Sequence, residues 1–189
     1  MGRIVVTEFV TLDGVMEDPG GGEDFERGGW AFQFERGPDG DAFKLEELQS
    51  ADAMLLGRRT YEGFAQAWPS MTDEAGFAEK MNSMPKVVVS STLENPEWTN
   101  SRVVDGDIGE IAAALKAEHE GDVLVAGSAQ LVQGLLEHDL VDELHLMIYP
   151  VVLGTGKRLF GATSDKKRLR HVETKPLEDG VEIHIYVKG

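Results

Sequence analysis

The chain reads as an α/β protein built on a mixed, mainly parallel sheet with helices on both faces and an antiparallel hairpin at the C-terminal end. Three observations predict this. Short apolar runs alternate with amphipathic stretches along most of the 189 residues, the pattern of repeated strand–helix units. Apolar runs end in small residues that lead straight into a helix start, as in Leu55-Leu-Gly-Arg-Arg-Thr60. The last segment places Val181, Ile183, Ile185 and Val187 at period two behind Asp179-Gly180, a hairpin signal.

In chain order, Arg3 to Val10 is rich in β-branched residues and runs into a turn at Thr11-Leu-Asp-Gly14. Pro19-Gly-Gly-Gly22 and Gly28-Gly29 frame an irregular segment to about residue 40, and loops that long in compact domains are usually functional or mobile. A helix is expected from about Asp41 through Leu48, then a buried strand over 52–57. Thr60 has the chemistry of an N-cap for a helix over 60–68, whose apolar face is Tyr61, Phe64, Ala65 and Trp68. Lys86-Val-Val-Val-Ser90 and Val103-Val104 are the next strands, followed by an amphipathic helix from Ile108 to His119. Asp122-Val-Leu-Val-Ala-Gly127 is a further buried strand, and a helix follows from about Ala129 to Glu137. Leu144, Leu146 and Ile148 begin a strand that Pro150 limits. No repeat or low-complexity linker divides the chain, so residues 1–189 are expected to form one domain.

Composition removes several classes of function. There is no cysteine, so disulfides and thiolate-bound metals are excluded. The net charge of −16 opposes general binding to nucleic acid or anionic lipid, which relies on Lys and Arg. No apolar run approaches the roughly 20 residues of a membrane span. Met1-Gly-Arg-Ile-Val-Val6 enters a strand pattern at once, and a cytoplasmic location is expected. The five histidines are scattered without ligand spacing, so no metal site is expected. Gly154-Thr-Gly-Lys157 is not a phosphate loop, because residue 151 is Val and Arg158 stands where Ser or Thr is needed.

Against this acidic background Arg58-Arg59 stands out. It opens a helix directly after a strand, where free N–H groups and the helix dipole already attract phosphate. Guanidinium groups add charge and forked hydrogen bonding suited to a ribose 2′-phosphate. Parallel sheets bind ligands beyond the carboxyl ends of their strands. Two other strand ends, Ser90-Ser91-Thr92 and Gly127-Ser128, present small or hydrogen-bonding residues there.

The motifs Thr11-Leu-Asp-Gly14, Leu56-Gly-Arg-Arg-Thr-Tyr61, Val89-Ser-Ser-Thr92, Val125-Ala-Gly-Ser-Ala-Gln-Leu131, Leu140-Val-Asp-Glu-Leu144 and Pro150-Val-Val-Leu-Gly154 span nearly the whole chain. In this order they resemble the dihydrofolate reductase-like family that includes the C-terminal reductase domain of the bifunctional riboflavin-biosynthesis deaminase-reductase. The resemblance, closest to the stand-alone branch, implies an NADPH-dependent reductase. It places Gly57, Arg58, Arg59 and Thr60 at the adenosine-side phosphates. Ser90, Ser91 and Thr92 fall at the 2′-phosphate region, and Gly127, Ser128, Ala129, Gln130 and Leu131 at the pyrophosphate. The chain departs from the family at Ala126-Gly127, where dihydrofolate reductases have Gly-Gly and the riboflavin-pathway enzymes resemble Glu-Gly-Gly. The cysteine ligands of the deaminase half are absent.

By position the resemblance puts Asp41 where the family carries its catalytic carboxyl, although Asp41 also reads as the cap of its helix. Trp30, in a Gly-Gly loop, is either a cover for a planar substrate or the anchor of its loop. Asp13 is a substrate-side candidate and equally a turn residue. Two functions follow: an NADPH-dependent reductase of a small heteroaromatic or pteridine-like substrate, or a non-catalytic NADP- or ligand-binding protein on the same fold. A homodimer covering exposed edge strands is expected.

Overall fold

A computed structural model describes residues 1–189. Its strands are β1 (Arg3–Thr11), β2 (Ala51–Gly57), β3 (Lys86–Val89), β4 (Ser101–Val104), β5 (Asp122–Val125), β6 (Glu143–Tyr149), β7 (Leu169–Pro176) and β8 (Glu182–Lys188). The helices are α1 (Gly37–Ser50), α2 (Arg58–Ala67), α3 (Phe77–Ser83), α4 (Ile108–Glu118) and α5 (Ala129–Glu137). One eight-stranded sheet runs in the order β4-β3-β2-β5-β1-β6-β8-β7. Strands β1 to β6 pair in parallel, and β8 lies antiparallel to both β6 and β7. This is the mixed sheet with a terminal hairpin that the sequence predicts.

The alternation of side chains along β1 explains the two layers. Ile4, Val6 and Val10 join Leu115 of α4 and Leu131, Val132 and Leu135 of α5 on one face. Val5 faces the other way, with Leu48 of α1, Tyr61 of α2 and Met81 of α3. A third cluster, Trp30, Met147, Tyr149, Val181, Ile183 and Ile185, closes the β6–β8 end beneath the glycine-rich loop.

Boundaries differ from the sequence reading at three places. Helix α1 begins at Gly37, four residues before Asp41, because Pro38 sits in its first turn, where its missing N–H costs nothing. Helix α2 begins at Arg58 with Gly57 as its cap, so Thr60 lies inside the first turn and does not cap it. Helix α3 has only seven residues, too few for a periodic signal. Asp73 starts it by accepting from the N–H groups of Phe77 (3.0 Å) and Ala78 (2.6 Å).

Lys86, the first residue of β3, is fully buried. Its Nζ donates to the carbonyls of Asn82 (3.0 Å), Met84 (2.9 Å) and Thr99 (2.9 Å) and lies 4.2 Å from the centre of the Trp98 ring. Burial pulls its pKa down to about 8, which leaves it charged at neutral pH, and the ammonium satisfies carbonyls from the segments that precede β3 and β4. Lys86→Met removes that donor and strands three acceptors, so we expect a loss of about 3 kcal/mol, read as a lower urea midpoint with an unchanged slope.

Candidate functional site

The chain folds so that β2 and β5 are neighbours although α2 and α5, which follow them, pack on opposite faces. Both helix N-termini therefore arrive at the same edge from two sides. Between them, beyond the carboxyl ends of β2, β3 and β5, lies a cleft of about 620 Å³. Its lining includes Gly57, Arg58, Arg59 and Thr60 of the first helix start, Ser90, Ser91 and Thr92 after β3, and Ser128, Ala129, Gln130 and Leu131 of the second helix start. Gly127 lies buried just before Ser128, and the peptide joining the two is cis.

Neither helix start carries a side-chain cap. The first N–H groups of α2 and α5 thus lack a side-chain acceptor, the condition under which a helix end receives an anion. Arg58 is paired with Glu62 at 3.0 Å, both half-exposed, a contact worth little in water. Arg59 makes no ion pair and is exposed. Ser90 is spent locally, its Oγ accepting from the N–H groups of Thr92 (3.2 Å) and Leu93 (3.0 Å), which leaves exposed Ser91 to present its hydroxyl.

The opposite wall is acidic. Met16, Glu17 and Glu23 come from the loop after β1, and Lys157 from the loop after β6. Lys157 ties these loops together, with Nζ 2.9 Å from Glu17 Oε1 and its backbone N–H donating to Glu17 Oε2 at 2.8 Å. Burial opposes the charge on Glu17, but Lys157 and, at longer range, Arg59 outweigh it and lower its pKa. At Glu23 burial and Asp18 dominate, and its pKa is raised.

Asp13, Trp30 and Asp41 are not part of this cleft. Asp13 clasps a turn: the Thr11 hydroxyl donates to it at 2.6 Å, and the N–H groups of Gly154 (2.8 Å) and Leu153 (3.2 Å) add to this, holding its pKa at about 2. Trp30 is 1% exposed, stacks edge-on against Tyr149 at 5.4 Å and donates from Nε1 to the Glu17 carbonyl at 2.9 Å. Its ring is the anchor of the glycine-rich loop and has no face left to cover a substrate. Asp41 is exposed on α1 and paired with Arg36 at 2.7 Å.

The sequence reading missed two groups of buried ionisable residues. Between α1, β1 and β6, Glu47 accepts from Lys44 Nζ (2.5 Å) and from the Thr7 hydroxyl (2.9 Å), and meets His145 Nδ1 at 2.6 Å. His145 Nε2 reaches Glu143 at 2.8 Å. On the other face of β1, Glu8 is buried and its Oε1 has no hydrogen-bond partner. The available signal was a polar pair, Thr7-Glu8, inside the apolar run from Ile4 to Val10.

Comparison with known proteins agrees with this architecture. The family model described as the RibD C-terminal domain matches residues 3–183. YyaP of Bacillus subtilis (strain 168) is 30% identical over 187 residues, covering 97% of this chain and 94% of that protein. A crystal structure of a Shewanella sp. PV-4 protein assigned to riboflavin biosynthesis superposes with a TM-score of 0.80 at 20% identity, covering 99% of both chains. Dihydrofolate reductase from Enterococcus faecalis, complexed with NADP(H) and RAB-propyl, superposes with a TM-score of 0.63 at 14% identity, covering 99% of this chain and 96% of that one.

The network around Glu47 gives stability a pH dependence. Burial opposes the charge on His145, but its hydrogen bonds and ion pairs with Glu47 and Glu143 win and raise its pKa. A raised histidine contributes stability that is complete below its unfolded value, near 6.5, and is lost as pH rises through the folded value. We expect His145→Gln to be less stable than the native chain by about 2 kcal/mol at pH 6, with the gap narrowing by pH 9 in urea titrations. A gap that does not change with pH would show that the fold does not favour the imidazolium.

Proposed function

The chain belongs to the RibD C-terminal domain family, and from that premise we propose that it is an NADPH-dependent reductase of a small heteroaromatic or pteridine-like substrate. The observation that carries this reading is the convergence of two uncapped helix N-termini and the unpaired Arg59 on one cleft at the strand ends. A dinucleotide with a 2′-phosphate has anionic groups at separated points, and the cleft offers donors at separated points. The residues fit such a group: the N–H groups at Ser128–Leu131 suit a pyrophosphate, and Arg59 with Ser91 suits a 2′-phosphate. When bound, the cofactor supplies the hydride; the protein binds it, orients it and excludes water. That the Enterococcus dihydrofolate reductase, which shares the fold, is complexed with NADP(H) supports the same assignment.

The reading separates this chain from the riboflavin-pathway enzyme itself. Ala126 stands at the glutamate of the Glu-Gly-Gly pattern, so we expect no efficient reduction of the ribosylamino-pyrimidine phosphate. It also includes a homodimer built on an exposed edge, β7 carrying a half-exposed Val172. A monomer in sedimentation at micromolar concentration would remove that part.

Cofactor choice is the direct test. A charge-assisted hydrogen bond contributes roughly 1.5–3 kcal/mol, or one to two decades of affinity. NADPH is therefore expected to bind at least about tenfold more tightly than NADH, less so as salt rises. Arg59→Ala is expected to abolish most of the preference and leave NADH binding nearly unchanged. Equal affinities in the native protein would refute the site, and oxidation of NADPH against a panel of dihydrofolate, pteridine, flavin and carbonyl compounds would identify the substrate class.

A further inference from the structure

Gly154-Thr-Gly-Lys157 fails as a phosphate loop in the sequence, yet the fold carries its lysine into the cleft. The segment is pinned from two directions. Met16 donates its N–H to the Lys157 carbonyl at 2.8 Å and Leu159 donates to the Gly14 carbonyl at 3.0 Å, which fixes it to the loop after β1. On the other side the Gln133 side chain of α5 donates to the Arg158 carbonyl at 2.9 Å. Leu159 itself is fully buried in the core cluster that holds Leu131 and Leu135 of the same helix. Lys157 is therefore held beside α5, where Leu131 and Gly134 line the same cleft. Its flexible four-carbon stem is the part left to move.

The ammonium has donors to spare. An ammonium carries three of them, the one partner of this Nζ is Glu17 Oε1 at 2.9 Å, and 43% of the side chain is exposed. Glu17 does not depend on it alone, because the Lys157 backbone N–H donates to Glu17 Oε2 at 2.8 Å. The other cations lining the cleft stand elsewhere: Arg58 and Arg59 both open α2, and Arg58 is paired with Glu62. Lys157 is thus the cation placed to assist the peptide N–H groups at the start of α5, where a pyrophosphate brings two ionised phosphoryl groups. We propose that Lys157 is a pyrophosphate-binding residue: its ammonium, seated on Glu17, turns its free donors to the phosphoryl oxygens of a dinucleotide held at the start of α5. The proposal rests on the NADPH reading above. NADH and NADPH share the pyrophosphate and differ in the 2′-phosphate, so Lys157 serves both cofactors alike, whereas Arg59 does not. Glu17 competes with the phosphates for the charge of the ammonium.

Both cofactors are titrated into the native chain, Lys157→Gln and Glu17→Gln. Lys157→Gln should weaken NADPH and NADH alike by about tenfold, the loss of one charge-assisted hydrogen bond, and leave the ratio of the two affinities unchanged. Glu17→Gln frees the ammonium from its competitor and should tighten both cofactors by about threefold, the scale of a half-exposed ion pair. If the ion pair served only to strap the two loops together, both variants would break it and both would weaken binding; that result overturns the proposal. So does a Lys157→Gln variant that binds both cofactors as the native chain does, or one that weakens NADPH alone. A measurement on the native chain needs no variant: saturating NADPH should protect Lys157 from acetylation by an N-hydroxysuccinimide ester, while exposed Lys166 reacts at an unchanged rate. A Lys157 that reacts as fast with NADPH as without it overturns the proposal even if neither variant folds. Failure of both cofactors to bind the native chain would instead overturn the cofactor reading, and this proposal with it.

Discussion

At the ends of β2 and β5 two turns pass so closely that only glycine fits where they meet. A Cβ on Gly57 would collide with the Ser128 hydroxyl, and one on Gly127 would lie 2.6 Å from Thr60 Oγ1. Gly127 also has φ of +93°, a region that other residues rarely adopt. The Gly57 N–H donates to the Gly127 carbonyl at 3.1 Å and joins the turns. Because α2 and α5 leave these turns on opposite faces of the sheet, their N-termini converge on one volume and their dipoles add there. A larger residue at Gly57 would also meet the Ser128 backbone nitrogen at 3.0 Å, pushing the turns apart and dividing one anion site into two weaker ones. The cleft is thus a consequence of strand order and of two missing side chains, before any charged residue is considered.

Strand β1 carries polar groups to both of its faces and treats them differently. Toward α1, Thr7 and Glu47 are surrounded by Lys44 and His145, so each buried charge has an opposite charge and a hydrogen bond. Burial alone would raise the Glu47 pKa, but Lys44 and His145 reverse the sign and hold it at about 2. Toward α4 and α5, Glu8 lies under the same burial with no cation in contact, and the sign is not reversed. Desolvating an unpaired carboxylate costs several kcal/mol, more than one distant lysine recovers, so protonation is the cheaper outcome. Two glutamates within one protein interior therefore hold opposite charge states for the same physical reason.

Much of this was legible in the sequence, and unevenly so. Apolar runs at strand length with glycine or serine behind them located β2, β3 and β5, and those small residues marked the cleft because its walls are backbone and first-turn residues that lie close in sequence. Gly57 to Thr60 and Ser128 to Leu131 are contiguous segments, so reading them needs no knowledge of tertiary contacts. Trp30 and Asp41 belong to the opposite case. Whether an aromatic ring covers a ligand or fills the core depends on Tyr149, more than a hundred residues away. Whether an aspartate faces a pocket depends on the phase of its helix, which Pro38 sets four residues earlier than the capping pattern suggests. Glu47 and His145 were silent because their partners come from three separate elements. Glu8 was visible as an intruder in a β-rich run, but its lack of a partner is a property of the packed interior.

Charge acts here at two length scales that oppose each other. At long range the chain carries −16, and its field repels any dinucleotide phosphate, the 2′-phosphorylated one most. That repulsion is spread over the surface and decays within about 8 Å at physiological ionic strength. At contact range the local groups reverse it: Arg59 has no carboxylate within ion-pair distance, and the peptide dipoles of α2 and α5 are fixed in place and cannot be neutralised by a rotating side chain. On the acidic wall Lys157 is bound to Glu17 at 2.9 Å and offsets its charge. A phosphate entering the cleft thus exchanges a weak, screened repulsion for short-range donors that solvent screens far less. Selectivity in so acidic a protein has to come from such geometry, since net charge favours no anion at all.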